Sequence, residues 1–191
     1  MATVYLYRKL FIFLIICGIG LFGRIVLAAK IIPNRSLVRT ANLRVRLVSR
    51  ARGEIGVREF SGRNDGRRVE EYLASVGLPK GYPYCAAFVS WVFKQEGLSQ
   101  PRSAWCPDLF PGSRLARSAL TGNVLGIYFA DRKRIAHVGI IESVHGDYCI
   151  SIEANTDVAG SREGEGVYRR RRHLKTIHCF ADWVDPGKGK K

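Results

Sequence analysis

The chain has 191 residues, enough for one compact domain with extensions, and no internal repeat marks it as an array. Lys and Arg outnumber Asp and Glu by 31 to 16, a formal charge of +15 that favours polyanionic surroundings such as wall polymers, lipid head groups or nucleic acid. Five cysteines without a CxxC pair argue against zinc, and no zinc-finger, RNA-binding or aromatic-studded basic motif accompanies the charge, so no metal, cofactor or nucleic-acid partner is expected.

At the N-terminus Arg8 and Lys9 precede an uncharged apolar run over residues 10–23, followed by Arg24. The run is short for a spanning helix and suits the apolar core of a signal peptide. Leu27-Ala-Ala29 fits a small-x-small cleavage site poorly, so an uncleaved membrane anchor ending near Ala29 stands as the alternative. Either reading implies export, with the rest of the chain periplasmic or membrane-anchored facing the cell wall. Residues 30–42 read as a linker, 43–184 as the folded domain, and 185–191 as a basic disordered tail.

Leu43–Ile55 has helical spacing, as has Gly66–Val76, which Gly77 and Pro79 stop. Asn64 and Asp65 are placed to cap the second helix. The stretch Gly81-Tyr-Pro-Tyr-Cys85-Ala-Ala-Phe-Val-Ser-Trp-Val-Phe93 opens a third helix, with Cys85, Phe88, Val89, Val92 and Glu96 on one face. Cys85 thus occupies the first turn, at the positive end of the helix dipole, where a thiol pKa is lowered. The loop over residues 100–118 carries Trp105 and either lines a groove or covers the core.

After Gly122 the pattern changes to strands: Val124–Phe129, Ile135–Ser143, Tyr148–Glu153, Val167–Arg172 and His178–Val184. Helices followed by an antiparallel sheet define an α+β fold. Thiolate catalysis needs an imidazole and a group to orient it. His137 lies in an apolar strand, while Glu153 and Asn155 end the next one. A three-residue loop, His145–Asp147, would set His137 opposite Asn155 and Gly139 opposite Glu153, with His137, Glu153 and Asn155 on one face. A two-residue loop would put His137 and Asn155 on opposite faces. Arg169–Arg172 reads as an edge strand with solvated charges. Cys149 and Cys179 are either a disulfide between neighbouring strands or buried free thiols.

These residues resemble the CHAP family, the cysteine- and histidine-dependent amidohydrolases and peptidases. The resemblance runs from Leu43 to Trp183. It rests on Glu54-Ile-Gly-Val-Arg-Glu59, Asn64-Asp65-Gly66, Val69-Glu-Glu-Tyr-Leu73 and Tyr84-Cys85-Ala-Ala-Phe88-Val-Ser-Trp91. It continues through Gly122-Asn-Val-Leu-Gly126, His137-Val-Gly-Ile140 and Ile152-Glu-Ala-Asn155-Thr156. The family usually has Trp where Tyr84 stands, Asp where Asn123 stands, and often Gly where Ala154 stands. The resemblance implies a papain-like fold, N-terminal helices packed on an antiparallel sheet with the nucleophile at a helix start. It further implies hydrolysis of an amide bond in peptidoglycan by a monomer without cofactor. Cys85 would attack, His137 serve as base and acid, Glu153 orient His137, and Asn155 assist. Tyr84, Tyr82 and Trp105 are expected around the substrate. The side-chain oxyanion donor of papain-like sites has no counterpart before Cys85, which leaves Tyr82 or the Cys85 backbone N–H. Two other readings stand beside this one: amide-forming acyl transfer on the same scaffold, and a non-catalytic cationic wall-binding module.

Overall fold

A helix begins at Arg35 and runs to Arg52 (α1), so residues 35–42, read as linker, are helical. Arginine, leucine and alanine are good helix formers, and the segment contains neither Gly nor Pro. Only Leu47, Val48 and Ala51 on this helix are buried. Arg44 fastens it to the domain: its guanidinium donates to Asp182 at 2.6 Å, to Asn123 Oδ1 at 2.9 Å and to the Thr121 carbonyl at 3.0 Å. These observations come from a computed structural model that describes residues 35–161 and 163–185. The described residues belong to one compact unit. The leader expected over 1–29, the start of the expected linker, and the expected tail beyond 185 lie outside them. No helix among the described residues is long and apolar enough to cross a membrane.

The second helix, α2, spans Arg67–Ala74 and buries Val69, Tyr72 and Leu73, an i, i+3, i+4 set. Its expected caps do other work. Gly66 is the N-cap, with φ at 102° and no side-chain cap bond. Asn64 also has positive φ, and Asp65 turns back to accept from the Ser61 amide at 2.9 Å and the Ser61 hydroxyl at 2.7 Å. The third helix, α3, spans Cys85–Gln95 and is buried on every side from Cys85 to Phe93, not along one stripe. It is the centre of the helical layer: Tyr72 of α2 packs edge-on against Phe88 and Trp91, with ring centroids 5.3 and 5.2 Å apart.

Six antiparallel strands follow in the spatial order β1-β6-β2-β3-β4-β5. They are β1 (Leu115–Ala116), β2 (Val124–Phe129), β3 (Arg134–His145), β4 (Tyr148–Thr156), β5 (Gly166–His173) and β6 (Cys179–Ala181). Among the described residues the architecture is therefore α+β, three α-helices and one antiparallel sheet. Alternation divides the strands between two cores. Val124, Val138, Ile140, Ile152 and Ala154 join the helices in the main one, while Leu125, Ile141, Cys149 and Ile177 form a smaller one. Cys149 and Cys179 sit on β4 and β6, which β2 and β3 separate by roughly 14 Å. No disulfide can join them, and both are free thiols.

The β3–β4 turn departs from the expected loop. His145 pairs with Tyr148, Val144 with Cys149 and Ser143 with Ile150, so the loop has two residues, Gly146 and Asp147. A bulge at Glu142 then shifts the register by one, and Ile141 pairs with Ser151, Ile140 with Ile152. The shorter loop alone would have inverted the faces; the bulge restores them. Continued along the strands, the register sets Gly139 against Glu153.

Candidate active site

Cys85 is the first residue of α3, after Tyr84 with non-helical backbone angles. Its side chain is buried, and its thiol pKa is lowered well below the usual value. The chief cause is a hydrogen bond with Cys106, whose sulfur lies 3.5 Å away. Burial opposes the shift, and His137 together with the Ala86 backbone amide adds to it. The Cys106 thiol moves the other way, raised by its bond to Cys85 and by burial. Cys106 therefore keeps its proton and donates it toward a Cys85 thiolate.

His137, wholly buried on β3, donates from Nε2 to Glu153 Oε2 at 2.9 Å. Nδ1 of the ring is buried and has no hydrogen-bond partner among the described residues, while the Cys85 thiol acts on the imidazole electrostatically. Burial alone would depress the imidazole pKa. The Cys85 thiol and the Glu153 carboxylate outweigh it and raise the value to about 9. A Cys85 thiolate and a His137 imidazolium thus favour each other.

Glu153 is fully buried and its carboxylate is saturated. Arg172 donates from Nε to Oε1 at 2.9 Å and from Nη2 to Oε2 at 2.5 Å, and Ser151 Oγ donates to Oε1 at 2.5 Å. Burial would raise its pKa, but the Arg172 and His137 bonds hold it well below the carboxylate range. A charged Glu153 is thus clamped through both oxygens by Arg172, and its Oε2 also accepts from the imidazole.

The remaining expected site residues divide. Tyr82 and Trp105, about half exposed, line a cavity of about 480 Å³ onto which Cys85 and Cys106 open. The loop over 100–118 does both things proposed for it, since Leu109 and Cys106 are buried while Trp105 stands at the groove. Tyr84 does not reach the groove. It is completely buried, stacked on Tyr72, and burial raises its hydroxyl pKa, as does Glu59 beside it. Asn155 occupies a bulge between β4 and β5 with φ at 57°, and its carbonyl accepts the Gly164 amide at 3.2 Å. It lines a second, acidic cavity of about 400 Å³ beside Glu59, Glu163 and Glu165. Among the described residues no group of three or more His, Cys, Asp or Glu could hold a metal ion.

Three residues at this centre escaped the sequence reading. Arg172 belongs to the run read as solvated, yet it is the clamp on Glu153, and Arg169 pairs with Glu142 at 2.6 Å. The strand period held part of the signal. Ser151 shares a face with Glu153 by alternation, and Arg172 lies opposite Cys149, on that same face. Cys106 carried no such signal, because its approach to Cys85 is decided by a long irregular loop.

No family model matches the chain, and no curated protein does. Among solved structures it is similar to Ly7917 at 16% identity, with a TM-score of 0.43, covering 72% of this chain and 60% of that one. A second structure, Ly7917 with the hydrolyzing product of MDP, gives 16% identity, a TM-score of 0.41, and coverage of 72% and 61%. The chain spans about three fifths of the length of these chains.

Proposed function

We propose that the protein is a papain-like cysteine hydrolase that cleaves an amide bond in the peptide part of peptidoglycan. The observation that carries this reading is the hydrogen-bonded series Arg172–Glu153–His137, ending at a Cys85 thiol of depressed pKa that opens on a cavity. A nucleophile, a base and an orienting carboxylate in that order are what acyl transfer through a thioester requires. The wall substrate is supported by the ordered motifs from Glu54 to Thr156 and by the formal charge of +15.

In this mechanism the Cys85 thiolate adds to the scissile carbonyl, and the developing oxyanion is met by backbone N–H groups at the start of α3. The imidazolium of His137 gives its proton to the departing amine, and the C–N bond breaks to leave a Cys85 thioester. Neutral His137 then takes a proton from water, hydroxide attacks the thioester, and the carboxylic acid leaves. Glu153 stays ionised throughout and holds the ring through Nε2. The apolar N-terminal segment is proposed to deliver the domain to the far side of the cytoplasmic membrane.

Digestion of purified peptidoglycan followed by mass spectrometry tests the reading. New amine and carboxyl ends should appear with the native chain and vanish with Cys85→Ala. Undiminished cleavage by that variant would exclude Cys85 as nucleophile. Products joined to an added amine in place of water would reassign the reaction to acyl transfer.

A further inference from the structure

The Cys85 cavity holds an arginine that no mechanism step uses. Arg134, at the first position of β3, lies over the Trp105 indole with its guanidinium carbon 3.9 Å from the ring centroid, and both residues line the cavity. One nitrogen donates to the Ile135 carbonyl at 3.1 Å. Stacking occupies the flat face of a guanidinium and leaves its in-plane N–H donors pointing outward. Among the described residues no carboxylate pairs with Arg134, whereas its neighbour Arg132 pairs with Asp131 at 3.4 Å. Arg44 and Arg172, also half-buried, are by contrast each spent on an internal carboxylate. Arg134 is therefore a cation held in place by an aromatic ring and by a backbone carbonyl, facing the space beside the nucleophile, with donors to spare.

We propose that Arg134, braced by Trp105, is a carboxylate-binding subsite, and that the substrate is a peptide carrying a free carboxylate close to the bond presented to Cys85. The inference rests on the proposed hydrolase function and narrows its substrate to acidic peptides. The planar fork suits a carboxylate, which accepts two parallel N–H bonds. Partial burial strengthens such a pair relative to one in open water. A carboxamide of the same shape keeps one acceptor and loses the charge, so the subsite separates acidic from amidated peptides.

The test uses soluble disaccharide-peptide fragments of peptidoglycan in two forms, with carboxylates free or converted to carboxamides. With the native chain, kcat/KM should be about 10- to 100-fold higher for the acid form, the usual span of a charge-assisted hydrogen bond. Arg134→Gln should remove that preference by lowering the acid form alone, and Arg134→Lys should recover part of it, since charge returns without the fork. Equal turnover of both forms by the native chain, or an equal loss on both in Arg134→Gln, would overturn the subsite. Calorimetric binding of both forms to Cys85→Ala separates this outcome from failure of the hydrolase reading. Selective binding of the acid form, lost on adding Arg134→Gln, sustains the subsite even where the native chain cleaves neither. Equal binding, or none, rejects it.

Discussion

Gly139 and Glu153 face each other across β3 and β4 so closely that a Cβ on residue 139 would sit 2.5 Å from Cγ of Glu153 and 3.1 Å from the Ile152 carbonyl oxygen. Glycine here is a requirement of space, because the Glu153 side chain must cross this point to reach His137. Gly139→Ala should push the carboxylate off the imidazole and lower kcat/KM on the order of a hundredfold. It should also cost about 1–3 kcal/mol of stability through overpacking. Gly126→Ala is the control. Its Cβ would meet the Phe110 ring at 2.7 Å, so stability should fall while activity per folded molecule is kept. Steady-state kinetics and chemical denaturation on both variants decide the matter.

Glu153→Gln should lower activity by about 10²- to 10⁴-fold, since the group that holds the ring and stabilises the imidazolium is lost. Stability should fall as well, by roughly 3 kcal/mol, because Arg172 is left as a largely buried cation without its carboxylate. Denaturation midpoints would show this, and Arg172→Met added to Glu153→Gln should recover stability without recovering activity. A single variant as stable as the native chain would contradict the clamp.

The pH profile of kcat/KM should be bell-shaped. The thiol pKa is depressed, so the thiolate is present above that value and activity falls as acid protonates it, below the usual thiol range. The imidazole pKa is raised to about 9, so the proton needed by the leaving amine is present below that value and is lost above it. The basic limb should therefore bend near pH 9. The two limbs belong to the coupled pair. A profile rising steadily to pH 10 would mean that a neutral imidazole is the working form.

Cys106→Ala should raise the Cys85 pKa, because the thiolate loses the donor 3.5 Å away. Timed alkylation with iodoacetamide across pH, read by peptide mapping, gives that pKa directly. In the native chain Cys85 should label before Cys149 and Cys179, whose pKa values burial pushes up to about 11. In Cys106→Ala the Cys85 labelling curve should move to higher pH. An unmoved curve would leave His137 and the helix start as the whole cause of the shift.

Local patterns carried much of this protein. The helix start at Cys85 was legible because Pro83 and an apolar run announce it, and β2 matches its expected span of Val124–Phe129 because a short continuous apolar run after the turn residue Gly122 is a strand signal. His137 and Glu153 were legible as polar residues in apolar strands. The loop at Gly146-Asp147 was not. Sequence periodicity cannot say how many residues a turn consumes, and a bulge at Glu142 compensated for an error of one residue.

The order of helices and strands and the residue types that thiolate chemistry needs are written in local sequence, because both follow from short-range periodicity and side-chain chemistry. Which side chains share a centre is set by long-range packing. Arg172 became a clamp and not a solvated charge, because β5 lies beside β4 and alternation turns it toward Glu153. Tyr84 left the expected groove for the core, because the chain enters α3 beneath Tyr72. Cys106 reached Cys85, and Arg134 reached Trp105, through a loop whose path is set by long-range packing. Such contacts join residues far apart in the chain, 19 positions for Arg172 and Glu153 and 21 for Cys85 and Cys106, beyond the reach of any local pattern, and burial makes these two pairs count electrostatically.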